Sequence, residues 1–135
     1  MLPKLVSRYF QVVGCIIEFK RSSKMARQFK LSDAEKRKLR DELYKRDGRR
    51  CHYCGIPEDE FHQIWGGPFY GGFKRGRRLE VDRKVGSLGY DIKNCVLACA
   101  ICNMAKSDKF KYDEFIKVGE VISEVWQNRK RIRTD

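Results

Sequence analysis

The fold class this sequence predicts is a small α+β domain closed around a bound metal ion. Three observations carry that reading: two Cys-x-x-Cys pairs, a helix start with a full capping signature, and two strand-length runs that lead into the second cysteine pair. The pairs are Cys51/Cys54 and Cys99/Cys102. Each can place two thiolates on one ion, and four thiolates in a tetrahedral array make a closed structural zinc site with no open position for chemistry. Two such spacings falling together by accident are rare. A thioredoxin-like redox pair needs one Cys-x-x-Cys at the start of a helix in a strand-helix-strand context, which the basic, turn-like surroundings of both pairs do not supply. A chain of 135 residues has room for one domain with a modest core, to which zinc adds stability.

Residues 1–30 hold a β-branched and aromatic run, Val12 to Phe19, between basic flanks, and read as an N-terminal arm or strand. Ser32-Asp-Ala-Glu35 is a capping box with acidic residues in the first turn, and Gly48 follows a basic last turn, so the spacing predicts a helix over 32–47. Leu39 and Leu43 form its narrow apolar stripe, with Lys36, Arg37, Arg40 and Lys45 around the rest. From Trp65 to Arg78 a glycine-rich stretch interleaves aromatics with Lys74, Arg75, Arg77 and Arg78. Such a backbone can approach a nucleic-acid strand closely while its cations neutralise phosphates, or can form an ordinary surface hairpin. Residues 77–84 and 94–98 read as the strands of a hairpin, and 100–107 as a helix.

The last element, 112–128, carries Phe115, Val118, Ile122 and Val125 at helical spacing, widened by Ile116, Val121 and Trp126. That face either packs on the core or forms a homodimer seam. Arg129 to Arg133 begin a basic tail, 129–135, read as a flexible phosphate-binding extension.

Lys and Arg number 30 against 18 Asp and Glu, a net charge of +12, so a polyanion is the default partner. No secretory signal or membrane span is read. The most apolar early stretch, Tyr9 to Phe19, is interrupted by Gln11, Gly14 and Glu18 and falls far short of the roughly 20 apolar residues a spanning helix requires. Metal-type cysteine spacing without a signal favours a reducing compartment, cytoplasmic or nucleoid/nuclear. Cys15 and Cys95 are then spare thiols, Cys95 a buried apolar residue in a strand.

The run Val81-Asp82-Arg83, Gly89-Tyr90, Asn94, Leu97-Ala98-Cys99-Ala-Ile-Cys102-Asn103 and Lys106 resembles the HNH (ββα-metal) endonuclease family. That family's text is a Cys-x-x-Cys, a strand ending in Asp-His, a glycine-containing loop, an Asn, and a second Cys-x-x-Cys with a following Lys. Here Arg83 stands where the general-base His would be, and this Asp-Arg form is most similar to a subgroup containing a rare-cutting restriction enzyme. The similarity covers about residues 50–128. It implies a zinc-stabilised ββα-metal domain, 31–128, with flanking helices, and phosphodiester hydrolysis in DNA, expected to be double-stranded.

By the same resemblance, Asp82 and Asn103 are the ligands of a catalytic ion. A carboxylate and an amide oxygen are hard donors that suit magnesium or manganese. Asn94 is expected to hold the loop between the strands, and Lys106 to contact a phosphate. A guanidinium cannot readily take a proton from water but can clamp a phosphate, so Arg83 leaves the base open. His62, Tyr90 or a metal-bound hydroxide are the alternatives, while His52, inside the first cysteine pair, reads as exposed or stacking. A zinc deaminase lacks its His-x-Glu here. The competing reading is a catalytically inactive, zinc-stabilised DNA-binding module.

Overall fold

Among the described residues, the capping box at Ser32 starts the first regular element. The structure, a computed structural model, describes residues 30–66 and 75–134. The arm read over residues 1–30, Cys15, Lys74 and most of the glycine-rich loop lie outside the described residues, apart from Lys30 at the boundary. Helix α1 spans Asp33–Asp47. Ser32 Oγ accepts from Glu35 N at 3.3 Å, and Ser32 N donates to Glu35 Oε2 at 2.8 Å. The helix stops at Gly48, whose φ of +76° lies in the left-handed region. Leu39 and Leu43 are its buried residues, and the helix packs on both strands of the sheet.

That sheet is a single antiparallel hairpin, β1 Glu80–Arg83 against β2 Cys95–Ala98. Glu80 faces Ala98, Val81 faces Leu97, Asp82 faces Val96 and Arg83 faces Cys95. All of β2 is buried. Two strands alone are marginal in water, so the hairpin depends on what covers it. The pairing is shorter than the runs 77–84 and 94–98: Leu79 N donates to Glu58 Oε2 instead of to the ladder, and the Asn94 side chain turns to the loop between the strands.

After the cysteine turn comes a 3-10 turn, Glu58–Glu60, and a short helix α2, Phe61–Trp65, which the glycine-rich pattern concealed. Phe61 and Ile64 of α2 are buried. Glu58 ties three segments together by accepting hydrogen bonds from Tyr44 Oη, from Arg49 Nη1 at 2.8 Å and from Leu79 N at 2.8 Å. Burial, then this bond to Glu58, pushes the Tyr44 phenol up to about 12.

Helix α3, Ala100–Lys106, begins at Cys99, and helix α4, Tyr112–Thr134, closes the fold. α4 runs through the stretch 129–134 expected as a flexible tail. Arg129 donates to Ile64 O at 3.0 Å and lies 4.8 Å over the Trp126 ring, while Lys130 pairs with Glu60. Those contacts give the basic residues partners inside the fold and let the helix continue. Its buried line is Phe115, Gly119 and Trp126, whereas Val121 and Val125 are exposed. Among the described residues, no helix is long and apolar enough to cross a membrane.

Gly119 lies where α4 packs against the first cysteine turn. A Cβ there would fall 2.4 Å from Tyr53 O and 2.7 Å from Tyr53 C, both backbone atoms of the first cysteine turn. On an unobstructed helix, alanine would be favoured over glycine by about 1 kcal/mol. Here overpacking against backbone costs about 1–3 kcal/mol and decides the sign. Gly119→Ala should therefore lower the urea midpoint. A midpoint equal to or above the parent's would contradict this packing.

Candidate functional site

The two cysteine pairs meet in the interior. Cys51 and Cys54 sit in a turn closed by Cys51 N to Ile56 O at 3.0 Å and by Gly55 N to Cys51 O at 2.9 Å. Gly55 supplies the positive φ of +70° that this turn requires. Cys99 and Cys102 open α3, with Cys99 Sγ accepting from Cys102 N at 3.4 Å. The four Sγ atoms lie within 4.8 Å of one another, and all four residues are buried. Four sulfurs about 2.3 Å from a tetrahedral zinc stand about 3.8 Å apart, which is the Cys54–Cys99 separation of 3.8 Å. A hydrogen bond from Cys102 pulls the Cys51 thiol far down, and the same contact pushes Cys102 far up. Protons shared among thiols in this way are what a divalent cation replaces, so the cluster fits a zinc ion.

Tyr53, between the first two cysteines, carries the brace to the hairpin. Its hydroxyl donates to Asp82 Oδ2 at 2.6 Å, and its ring meets Phe115 of α4 edge-on at 5.0 Å. Burial, reinforced by the bond to Asp82, raises the Tyr53 phenol strongly, so it remains a donor. Asp82 is itself buried on β1. Lys106 Nζ lies 3.1 Å from its Oδ2 and 3.3 Å from its Oδ1, and also donates to Arg83 O at 2.8 Å. Lys106, expected at a phosphate, is instead buried against this carboxylate.

Asn103 follows Cys102 on α3. Its Nδ2 donates to Glu80 Oε2 at 2.6 Å, and among the described residues nothing donates to its Oδ1. Burial alone would raise Glu80, but hydrogen bonds from Arg75 and Asn103 outweigh it and hold the carboxyl below its ordinary range. Arg75, expected at phosphate, is thereby engaged in a two-point bond to Glu80, at 2.8 and 2.6 Å. Arg77 and Arg78 are exposed.

Asn94 is buried and spans the loop between the strands. Its Nδ2 donates to Val85 O at 3.1 Å and Gly89 O at 2.9 Å, and its Oδ1 accepts from Val85 N at 3.1 Å. The Arg83 guanidinium donates to Leu88 O at 3.2 Å and lies 4.7 Å over the ring of Tyr90. Asp82, Arg83, Tyr90, Asn103 and Lys106 all line one groove of about 930 Å³, with Lys84, Lys109 and Lys111 along it. His62 is exposed on α2 and is not among the groove's lining residues. His52 Nε2 and Tyr112 Oη lie 2.7 Å apart at the groove's edge. Partial burial, then the charge of Lys84, lowers the His52 imidazole below its ordinary range. Glu80 gave no signal in the sequence. For Tyr53, its position between two ligand cysteines was the one available clue.

The groove thus sets a carboxylate and an amide oxygen that no described residue donates to, both hard donors, beside a guanidinium and several ammonium groups. That donor set suits a divalent cation of the magnesium type bound together with a phosphate.

No family model matches the chain, and no curated protein does. A solved structure of the rare-cutting HNH restriction endonuclease PacI is similar to it, with 39% sequence identity and a TM-score of 0.53 over 61% of this chain. The match covers 56% of that chain, little more than half its length. The resemblance of the Asp-Arg motif to the HNH endonucleases therefore extends to the α+β fold around the four-cysteine cluster.

Zinc binding at a four-cysteine site contributes about 10–16 kcal/mol, against about 5–15 kcal/mol for the net stability of a domain. Elemental analysis should find one zinc per chain, and Cys54→Ser or Cys102→Ser should abolish the cooperative thermal transition seen by circular dichroism. A folded, zinc-free preparation would overturn the assignment.

Proposed function

We propose that this chain is a metal-dependent endonuclease of the HNH class that hydrolyses phosphodiester bonds in duplex DNA. The observation that carries the reading is the convergence of Asp82, Arg83 and Asn103 on one cation-lined groove, in a fold similar to that of an HNH restriction endonuclease. Asp82 and Asn103 Oδ1 hold a magnesium or manganese ion. Bound there, the ion supplies Lewis acidity at the scissile phosphate. Arg83, steadied on the Tyr90 ring and Leu88 O, clamps that phosphate and stabilises charge developing on it. Asn94 keeps the 85–89 loop in the shape that presents Arg83.

Of the two side chains weighed for proton transfer, Tyr90 borders the groove and His62 does not. Tyr90 is therefore the better placed of the two to orient the attacking water through its hydroxyl. Arg77, Arg78, Lys84, Lys109 and Lys111 neutralise neighbouring phosphates. Thiols held for a metal suit a reducing compartment, cytoplasm or nucleoid. Val121 and Val125, 60% and 43% exposed, form the seam through which a second copy would pair on duplex DNA.

One observation favours the alternative of an inactive zinc-stabilised DNA-binding module. Both oxygens of Asp82 already have partners, as in a purely structural ion pair. Incubation of supercoiled plasmid with magnesium, manganese or EDTA separates the two. The wild type should cut with either metal and not with EDTA, and should convert supercoiled plasmid directly to linear if it acts as a dimer. Asp82→Ala should cut at least roughly a hundredfold more slowly with zinc content unchanged, the scale of losing one main electrostatic contributor. Arg83→Lys should fall at least about tenfold, because one ammonium cannot reproduce a bidentate fork. Parental cleavage by Asp82→Ala would place the chemistry elsewhere, and a wild type that binds DNA without cutting it would establish the binding module.

A further inference from the structure

A basic residue in this chain ordinarily belongs on the surface, yet the side chain of Lys106 is only 4% exposed. Lysine is almost never buried unless paired. Its partner is Asp82, at 3.1 Å to Oδ2 and 3.3 Å to Oδ1, and its third contact is Arg83 O at 2.8 Å. The backbone holds it there. Lys106 ends α3, its carbonyl accepts from Lys109 N at 3.3 Å and Phe110 N at 3.2 Å, and Ser107 turns the chain with a φ of +44°. A buried ion pair seldom stabilises a fold more than a well-packed apolar pair of the same volume. Stability does not by itself explain the placement.

We propose that Lys106 is a positioning residue that acts as a tethered cation on Asp82, competing with the divalent ion and setting its affinity; this rests on Asp82 being the ion's ligand, as proposed above. A carboxylate offers about four lone-pair positions. Tyr53 donates to Oδ2 and Lys106 to Oδ1, with the ammonium also 3.1 Å from Oδ2, so an ion entering from the groove must share Asp82 with an ammonium group a few ångströms away. Like charges so close, shielded from water, repel strongly. The free protein therefore binds the ion weakly. A DNA phosphate in the groove supplies negative charge that offsets both cations, so metal and DNA bind with positive coupling, and Lys106 carries that coupling.

The test is manganese binding by the zinc-loaded protein without DNA, followed by loss of the free-ion paramagnetic resonance signal. Lys106→Met removes the charge at similar length and should tighten binding roughly tenfold, equivalent to about 1.4 kcal/mol of relieved repulsion. Lys106→Arg should stay near the wild type. Unchanged or weaker binding by a folded Lys106→Met variant overturns the proposal. Should that variant not fold, the wild type decides. The Lys106 side-chain NMR signals should broaden on manganese addition in step with binding, and Asp82→Asn should remove both effects. Manganese that binds through Asp82 without broadening those signals overturns this proposal alone. Binding by Asp82→Asn equal to the wild type overturns the ligand assignment on which it rests.

Discussion

Four thiolates on one ion are the constraint from which the rest of this structure follows. The hairpin has two strands, α3 is seven residues long, and the cysteine turn has no ladder of its own. None of these would persist alone in water. The cluster joins the turn at Cys51 and Cys54 to the start of α3 at Cys99 and Cys102, the helix that carries Asn103 and Lys106. From there the constraint travels through packed groups. α4 presses Gly119 onto the backbone of Tyr53, and Tyr53 reaches Asp82 with its hydroxyl. A structural metal centre therefore sets the position of a carboxylate to which it is not bonded.

The charge of the chain is distributed in two distinct ways. Part of the cationic excess is paired with carboxylates: Lys106 on Asp82 in the interior, and Arg75 on Glu80, Arg49 on Glu58 and Lys130 on Glu60 nearer the surface. Another part, including Arg77, Arg78, Lys109 and Lys111, stays at the surface. Net charge argues for a polyanionic partner, but it does not say which cation meets a phosphate. Exposed ion pairs such as Arg75 with Glu80 contribute little to stability; their effect here is to orient Glu80 and, through it, the amide of Asn103.

What the sequence made legible is what local chemistry decides. The capping box at Ser32 and Glu35 set the start of α1, and cysteine spacing located the cluster and the start of α3. The alternation around Asp82 and the apolar run Cys95 to Ala98 marked the hairpin, though its pairing is shorter than those runs. What it hid depends on partners distant in the chain. Helix α2 forms because Phe61 and Ile64 are buried by the rest of the domain, against the loop-like composition that follows it. The continuation of α4 past Asn128 depends on Ile64 and Glu60, and the approach at Gly119 depends on Tyr53. Lys106 reads as a phosphate-contacting cation until the fold places Asp82 beside it. Asn94 and Asn103 show the same division, since their positions follow the motif but their bonds to Val85, Gly89 and Glu80 follow from tertiary structure.

The central claim is that one zinc-braced groove holds a second, catalytic ion between Asp82 and Asn103. Anomalous diffraction from crystals of the protein with duplex DNA and manganese tests it most directly. The account predicts a zinc peak among the four sulfurs and a separate manganese peak in contact with an Asp82 carboxylate oxygen, Asn103 Oδ1 and a phosphate oxygen. A manganese peak elsewhere on the chain, or DNA bound with its phosphates away from this groove, would contradict it.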